Sequence, residues 1–197
     1  MELLSDPVEQ LRDWQTEAEQ SGPGSDVVAL ATASADAVPS VRMVNFKGWF
    51  IDERGDCLSF FSNYESRKGR ELADNPHAAM LFYWPLLKRQ VQVEGRCRRL
   101  AVEASQRFFA SREREVQLST LMSQQSRELE SNERMYEIVD ELRRQYLGKA
   151  IPCPSYWGGT LLYPERIEFR VSGEHRRHYR WAFERASVGW RQRKLYP

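Results

Sequence analysis

The chain has 197 residues, 41% hydrophobic and 29% charged, with a formal net charge of +1. Such a chain is long enough to bury one sizeable core, and so balanced a charge gives no general support to nucleic-acid or membrane-surface binding. Cys57, Cys97 and Cys153 form no CxxC pair, and the opening MELLSDPVEQLRDW is acidic and amphipathic, unlike a signal peptide, so a reducing, cytoplasmic setting is expected.

In chain order, Asp6-Pro7 followed by Val8, Leu11, Trp14 and Ala18 offers a cap, a first-turn proline and helical apolar spacing. These predict a helix within 1–22, ended by Ser21-Gly22-Pro23-Gly24. VVALATAS and SVRMVNFK, on either side of a turn at Asp36, predict a hairpin, and CLSFFS after Glu53-Arg54-Gly55-Asp56 predicts a third strand. ESRKGRELA (65–73) predicts a short helix closed by Asn75-Pro76, and AAMLFYW with RQVQVEGRCRRL a long hairpin around Pro85. Helical patterns follow at 101–112, 115–122 and 133–146, the last striped by Met135, Ile138, Val139 and Leu142. Strands resume beyond Pro154 with RIEFRVS, HYRWAFER and GWRQRKLY. The expected fold is α+β and mainly antiparallel β: one domain over 1–197, a small closed barrel of about six strands with a helical insertion at 101–147.

FSNYESRKGREL carries the most chemistry. A strand ends, polar residues turn the chain, and Arg67 and Lys68 open a helix whose N–H groups already favour an anion. A guanidinium fork beside a point charge suits a phosphate monoester, although an isolated Arg-Lys pair is also what a solvated helix start looks like. Arg42 and Lys47 bound the strand RMVNFK, and their odd spacing puts them on opposite faces if it is regular. Gln90 opens the alternating QVQVEG, where an amide reaches either a ligand's ring edge or water; Gln125-Ser126 reads equally as a helix end. In HRRHYRW, a regular strand places Arg176, His178 and Arg180 on one face, either an anionic-ligand wall, an exposed basic edge, or a stacking surface for single-stranded nucleic acid. His77, His175 and His178 lack carboxylate or cysteine partners at metal-ligand spacing, so no metal is expected.

Several blocks in register, SVRMVNFKG, FSNYESRKGREL, RQVQVEGR, SQQS, YWGG, PERIEF and RKLYP, resemble the pyridoxamine/pyridoxine 5′-phosphate oxidase family from about Asp6 to Pro197. The resemblance implies an FMN-binding split β-barrel acting as a homodimer, with FMN at the subunit interface and a small anionic ring compound as substrate. It places Arg42, Met43, Val44, Asn45, Phe46 and Lys47 along the flavin, with Phe61 and Ser62 where the family has tyrosine and threonine. Arg67 and Lys68 fall on the flavin phosphate, and Gln90, Gln125, Ser126, Arg170 and Arg180 complete the shell. Lys47 and Arg112 fall on the substrate phosphate, and Arg176 and His178 beside the substrate ring, orienting it rather than serving as an obligatory base. The implied reaction moves a hydride from substrate to flavin N5, with dioxygen as acceptor and pyridoxal 5′-phosphate as product.

The substrate half departs from the family pattern. Phe108 and Val116 replace a tyrosine and a serine of the phosphate site, and each lost hydrogen bond to a charged group costs roughly 1.5–3 kcal/mol. Arg170 stands for a tryptophan, the link GWFIDERGDCLS is longer by a few residues, and the N-terminus lacks a basic arm. Three functions therefore compete: the phosphate oxidase, a relative acting on another substrate as the phenazine-biosynthesis oxidases do, and a flavin carrier without oxidase activity. Nucleic-acid binding is a fourth, and the charge balance lends it nothing.

Overall fold

The computed structural model describes residues 2–197. Helix α1 (Pro7–Ser21) begins at the expected cap: the Asp6 carboxylate accepts from the Val8 N–H, and Pro7 occupies the first turn. Its face of Val8, Leu11, Trp14 and Ala18 is buried, and Trp14 meets Phe169 edge-on with centroids 5.1 Å apart. Burial of each large side chain contributes about 1.5–3 kcal/mol, so packing rather than helix propensity holds this element.

Among the described residues nine strands follow, the eight segments expected as strands and one more: β1 (Val27–Ala33), β2 (Pro39–Asn45), β3 (Trp49–Asp52), β4 (Gly55–Asn63), β5 (His77–Trp84), β6 (Arg89–Arg99), β7 (Trp157–Val171), β8 (Tyr179–Arg185) and β9 (Trp190–Leu195). All pair antiparallel in the order β2-β1-β5-β6-β7-β4-β3, with β8 and β9 branching from β7. The segment WFID, expected to be part of a link, is β3; it runs back along β4 from Asp52 opposite Gly55 to Trp49 opposite Leu58. CLSFFS thus lies in the fourth strand.

Strand β7 starts well before RIEFRVS because it serves two neighbourhoods. Trp157–Leu162 pair with β4, Arg166–Val171 pair with β8, and β6 runs along most of its length. The β6 register shifts between Glu94 and Gly95. A Cβ at Gly95 would overlap the Tyr163 carbonyl, so only glycine fits this bulge, where the long ladder bends. Beyond β2, the Lys47 N–H donates to Ser59 O (2.8 Å) and the Ser59 N–H to Gly48 O (3.0 Å). Those bonds bring the chain after β2 onto β4, and the sheet curls round on itself.

The concave face holds Leu30, Phe60, Met80, Phe82, Val93, Ile167, Phe169 and Phe183, all inaccessible to solvent. Residues directly opposite one another share a face, so Tyr83, Gln90, Arg170, Arg180 and Leu195 form one row on the other side, and Met43, Ala29, Leu81, Gln92 and Glu168 another. At the β2 end this outer face is apolar and open, with Val41 69% and Met43 61% exposed.

Helices α2 (Arg67–Asp74), α3 (Val102–Ala110), α4 (Arg114–Met122) and α5 (Asn132–Gln145) match the expected segments to within a few residues. The last three pack with β4 and β7 around a second cluster of Phe109, Leu118, Ile151 and Trp157. The α5 stripe is only half-buried: Leu142 joins that cluster, and no α5 residue is fully covered. One expectation fails in the backbone. His175 and Arg176 have φ of 53° and 63° in a 3-10 turn (Glu174–Arg176), and β8 begins only at Tyr179. Arg176, His178 and Arg180 therefore do not line one strand face. Among the described residues no helix is long and apolar enough to cross a membrane.

Candidate active site

A cavity of about 640 Å³ opens between β2, the Lys47 turn and the end of β4 on one side and α3 and α4 on the other. Its cationic wall is built at the start of α2. Ser66 caps that helix, its Oγ accepting from the Gly69 N–H, and a Cβ at residue 69 would overlap the Tyr64 backbone. Glycine therefore lets the first helical turn fold tightly against the end of β4. The turn carries Lys68 inward: its ammonium is 2.9 Å from Ser66 Oγ and 2.7 Å from Gln125 Oε1. Lys68 is only 6% exposed, and no carboxylate among the described residues pairs with it. Burial, then the nearby Arg42 charge, brings its pKa down to about 8.

Arg42 is fixed from behind. Its guanidinium donates to Leu30 O (3.0 Å), Thr32 Oγ1 (2.6 Å) and Ser40 Oγ, and lies 3.3 Å from Glu71 Oε2. Burial pushes the Glu71 carboxyl up, but hydrogen bonds from Ser40, Thr32 and Arg67 with the Arg42 charge outweigh it and take it down to about 2. Arg67 spends its charge here, Nε lying 2.9 Å from Glu71 Oε1, while its side chain is 57% exposed and its backbone N–H donates to Ser126 Oγ at 3.1 Å. Of the Arg67–Lys68 pair, only Lys68 lines the cavity. Gln125 and Ser126, open to reading as a helix end, are both tied to the α2 start.

The aromatic wall is a stack. Phe61 and Phe108 have centroids 3.9 Å apart at 17°, and Phe61 and Trp157 5.4 Å at 26°. The Arg112 guanidinium carbon sits 4.8 Å over the Trp157 ring, and its Nη1 donates to Thr120 Oγ1 at 2.7 Å. Burial lowers the Arg112 pKa, and no carboxylate among the described residues forms an ion pair with it. Val116 completes this wall without a hydroxyl.

Met43, Val44, Asn45 and Ser62 reach the cavity, as do both Arg42 and Lys47, which regular alternation assigned to opposite faces. The strand stops at Asn45. Phe46 N–H then donates to Asp26 O (2.8 Å), the Phe46 side chain turns into the core at 3% exposure, and Lys47 swings back. The Phe46 side chain is therefore no part of the cavity lining, and Lys47 Nζ lies 3.6 Å from Asp26 Oδ2.

Gln90, Arg170, Arg180, Arg176 and His178 do not reach this cavity. The first three share the outer-face row with Tyr83. Arg180 is engaged by Glu168 at 2.7 Å and donates to Tyr196 O at 3.1 Å. His178 Nδ1 accepts from the Gly173 N–H at 3.4 Å. The expected site is thus divided on this chain: part of it lines the cavity, Gln90, Arg170 and Arg180 lie in the outer row, and Arg176 and His178 lie in and just after the 3-10 turn. Sequence reasoning passed over Glu71, Thr120 and the cavity-facing role of Trp157; the i,i+4 spacing of Arg67 and Glu71 was the one legible signal, since the others depend on tertiary packing.

Comparison with known proteins agrees along the whole chain. Residues 15–146 match the family model described as pyridoxamine 5′-phosphate oxidase, and 157–197 the model described as the pyridoxine 5′-phosphate oxidase C-terminal dimerisation region. The chain is 43% identical over 193 residues to a pyridoxine/pyridoxamine 5′-phosphate oxidase of Rubrobacter xylanophilus, covering 98% of this chain and 87% of the relative. With the enzyme of that name from Gluconobacter oxydans the identity is 39% over 198 residues, covering 100% and 97%. Among solved structures, PhzG from Burkholderia lata 383, in complex with tetrahydrophenazine-1-carboxylic acid, superposes with a TM-score of 0.90 at 30% identity, covering 98% of this chain and 94% of that one. The cationic, aromatic-walled cavity and these matches lead to one conclusion: the chain belongs to the pyridoxamine 5′-phosphate oxidase family.

Proposed function

We propose that this protein is an FMN-dependent oxidase of pyridoxine or pyridoxamine 5′-phosphate that works as a homodimer, with the flavin held between the two copies. Family membership carries the reaction class. On the site itself, the supporting observation is the buried Lys68 ammonium, whose only hydrogen-bonding partners among the described residues are the neutral Ser66 and Gln125. A buried cation without a counter-charge is costly, and a phosphate arriving there supplies one. The donor set suits FMN: Lys68 and Arg42 would hold its phosphate, with Met43, Val44, Asn45, Ser62 and Gln125 around the rest.

When bound, the flavin supplies hydride acceptance from the substrate and electron delivery to dioxygen. The chain's residues bind and orient. Arg112, without a carboxylate partner among the described residues, and Lys47 would hold the substrate phosphate beside the Phe61–Phe108–Trp157 stack. Gln90, Arg170, Arg180, Arg176 and His178 would come from the second copy, laid on the outer face whose apolar end carries Val41 and Met43. We also read residues 1–197 as one domain with α3–α5 as an insertion. A reducing, cytoplasmic setting suits three free cysteines, of which burial pushes Cys57 up to about 11 and Cys97 up to about 12.

A second reading, turnover of a ring carboxylate, is favoured by the hydroxyl-free Phe108 and Val116 and by the likeness to PhzG. The test is direct. The purified yellow protein is mixed anaerobically with pyridoxamine 5′-phosphate and flavin bleaching is followed, then air is admitted and peroxide measured. Bleaching and peroxide support the phosphate oxidase. A flavin that stays oxidised with this substrate but bleaches with a tetrahydrophenazine carboxylate supports the second reading instead.

A further inference from the structure

Arg112 sits in the short junction between α3 and α4, outside either helix, so no helical backbone orients its side chain. Three contacts do so. Gln117 Nε2 donates to Phe109 O (3.0 Å), Ala110 O (3.2 Å) and Arg112 O (3.0 Å), pinning the junction backbone from a buried position. Trp157 supplies a flat surface under the guanidinium. That leaves rotation over the ring, and Thr120 stops it: its Oγ1 accepts from Arg112 Nη1 at 2.7 Å.

The threonine hydroxyl is oriented for this. It donates its proton to Val116 O at 2.8 Å, as a helical threonine does to the carbonyl one turn back. Its lone pairs are then left to accept, and Arg112 is the donor presented to them. The Val116 side chain, on the same helical face one turn earlier, has no oxygen to offer. Both Thr120 and Arg112 line the cavity, and the guanidinium's remaining N–H groups have no protein acceptor among the described residues.

We infer that Thr120 is a positioning residue: by holding one edge of the Arg112 guanidinium it aims the others at an incoming phosphate, and so sets affinity for phosphorylated substrates. This rests on the proposed function only in naming the phosphate as the substrate's. Thr120 acts through Arg112 and need not touch substrate.

The experiment uses FMN-loaded wild type, Thr120→Val, Thr120→Ala and Thr120→Ser, each in the parent and in an Arg112→Ala background. Calorimetry measures affinity for inorganic phosphate and for unphosphorylated pyridoxine, and steady-state assays give kcat and KM for pyridoxamine 5′-phosphate. The expected result is a loss of phosphate affinity of about tenfold in Thr120→Val and Thr120→Ala, with KM rising to match, kcat within about twofold and pyridoxine binding unmoved. Thr120→Ser restores the wild-type values, and in the Arg112→Ala background Thr120 substitutions have no further effect. Unchanged phosphate affinity in the Val and Ala variants overturns the inference. So does an equal loss for pyridoxine, which marks a packing role, or a wild type that does not bind phosphate. If wild type binds phosphate but leaves pyridoxamine 5′-phosphate unoxidised, the proposed function fails while the phosphate titrations still decide the role of Thr120.

Discussion

Lys68 Nζ lies 2.7 Å from Gln125 Oε1, joining the first turn of α2 to the chain that leaves α4. The contact places an ammonium where water is scarce and no carboxylate among the described residues answers it, so the site suits an anion that arrives from outside. Lys68→Met should raise the Kd for FMN by about 10- to 100-fold, the scale of a lost hydrogen bond to a charged group. Arg67→Ala should cost much less, because Arg67 is exposed and already paired with Glu71. Flavin titration of the apoprotein measures both, and a larger loss in Arg67→Ala would contradict the assignment. With Lys68 brought down to about 8, FMN affinity in wild type should weaken as pH rises through that value, and less so in Lys68→Met.

Glu71 underlies the same wall, and its titration should appear as acid sensitivity. Its folded pKa, taken down to about 2 from an ordinary 4.5, means that the carboxylate's contribution is present above about pH 4.5 and disappears as pH falls towards 2. A shift of that size corresponds to roughly 2–3 kcal/mol, at the lower end because Arg67 is solvent-screened. Urea melts between pH 6 and 3 should show wild type losing stability faster than Glu71→Gln. Parallel curves would remove Glu71 from this role.

The fold was legible wherever local pattern and burial agree. Asp6-Pro7 capped α1, and the ESRKGRELA helix and the β5–β6 hairpin lie close to where they were expected. Pattern failed where tertiary pairing decides. WFID is too short and too exposed to announce β3, and WGGTLLYP contains two glycines and a proline yet forms half of β7 because β4 and β6 flank it. The site was legible as residue types but not as directions. Where β2 stops, Lys47 turns to the cavity beside Arg42 and the Phe46 side chain enters the core, and the left-handed His175–Arg176 turn broke an alternation that looked regular in sequence.

The open outer face yields a third prediction. Val41 and Met43 are largely exposed on edge strand β2, an arrangement that a lone chain gains nothing by keeping. A Val41→Glu substitution, at a residue outside the cavity lining, should shift the protein from dimer to monomer in sedimentation and release flavin in parallel, since half of the proposed shell would leave with the partner. A variant that becomes monomeric but retains FMN would separate the two events and refute the shared site.

The hydroxyl-free wall gives the last. Phe108 is held by stacking on Phe61 at 3.9 Å, and a tyrosine there keeps that plane while adding a donor. Val116 is partly open to solvent at the cavity edge, so a serine costs little packing. If the substrate carries a phosphate near Arg112, Phe108→Tyr with Val116→Ser adds hydrogen bonds to a charged group, and KM for pyridoxamine 5′-phosphate should fall by about tenfold or more with kcat little changed. If the natural substrate is instead a ring carboxylate that uses the apolar wall, the same double variant should lose affinity for it, because two hydroxyls would then face a surface that cannot pair them. Steady-state kinetics of the one variant on the two substrates therefore moves in opposite directions under the two readings, and no movement on either would mean that positions 108 and 116 do not face the substrate.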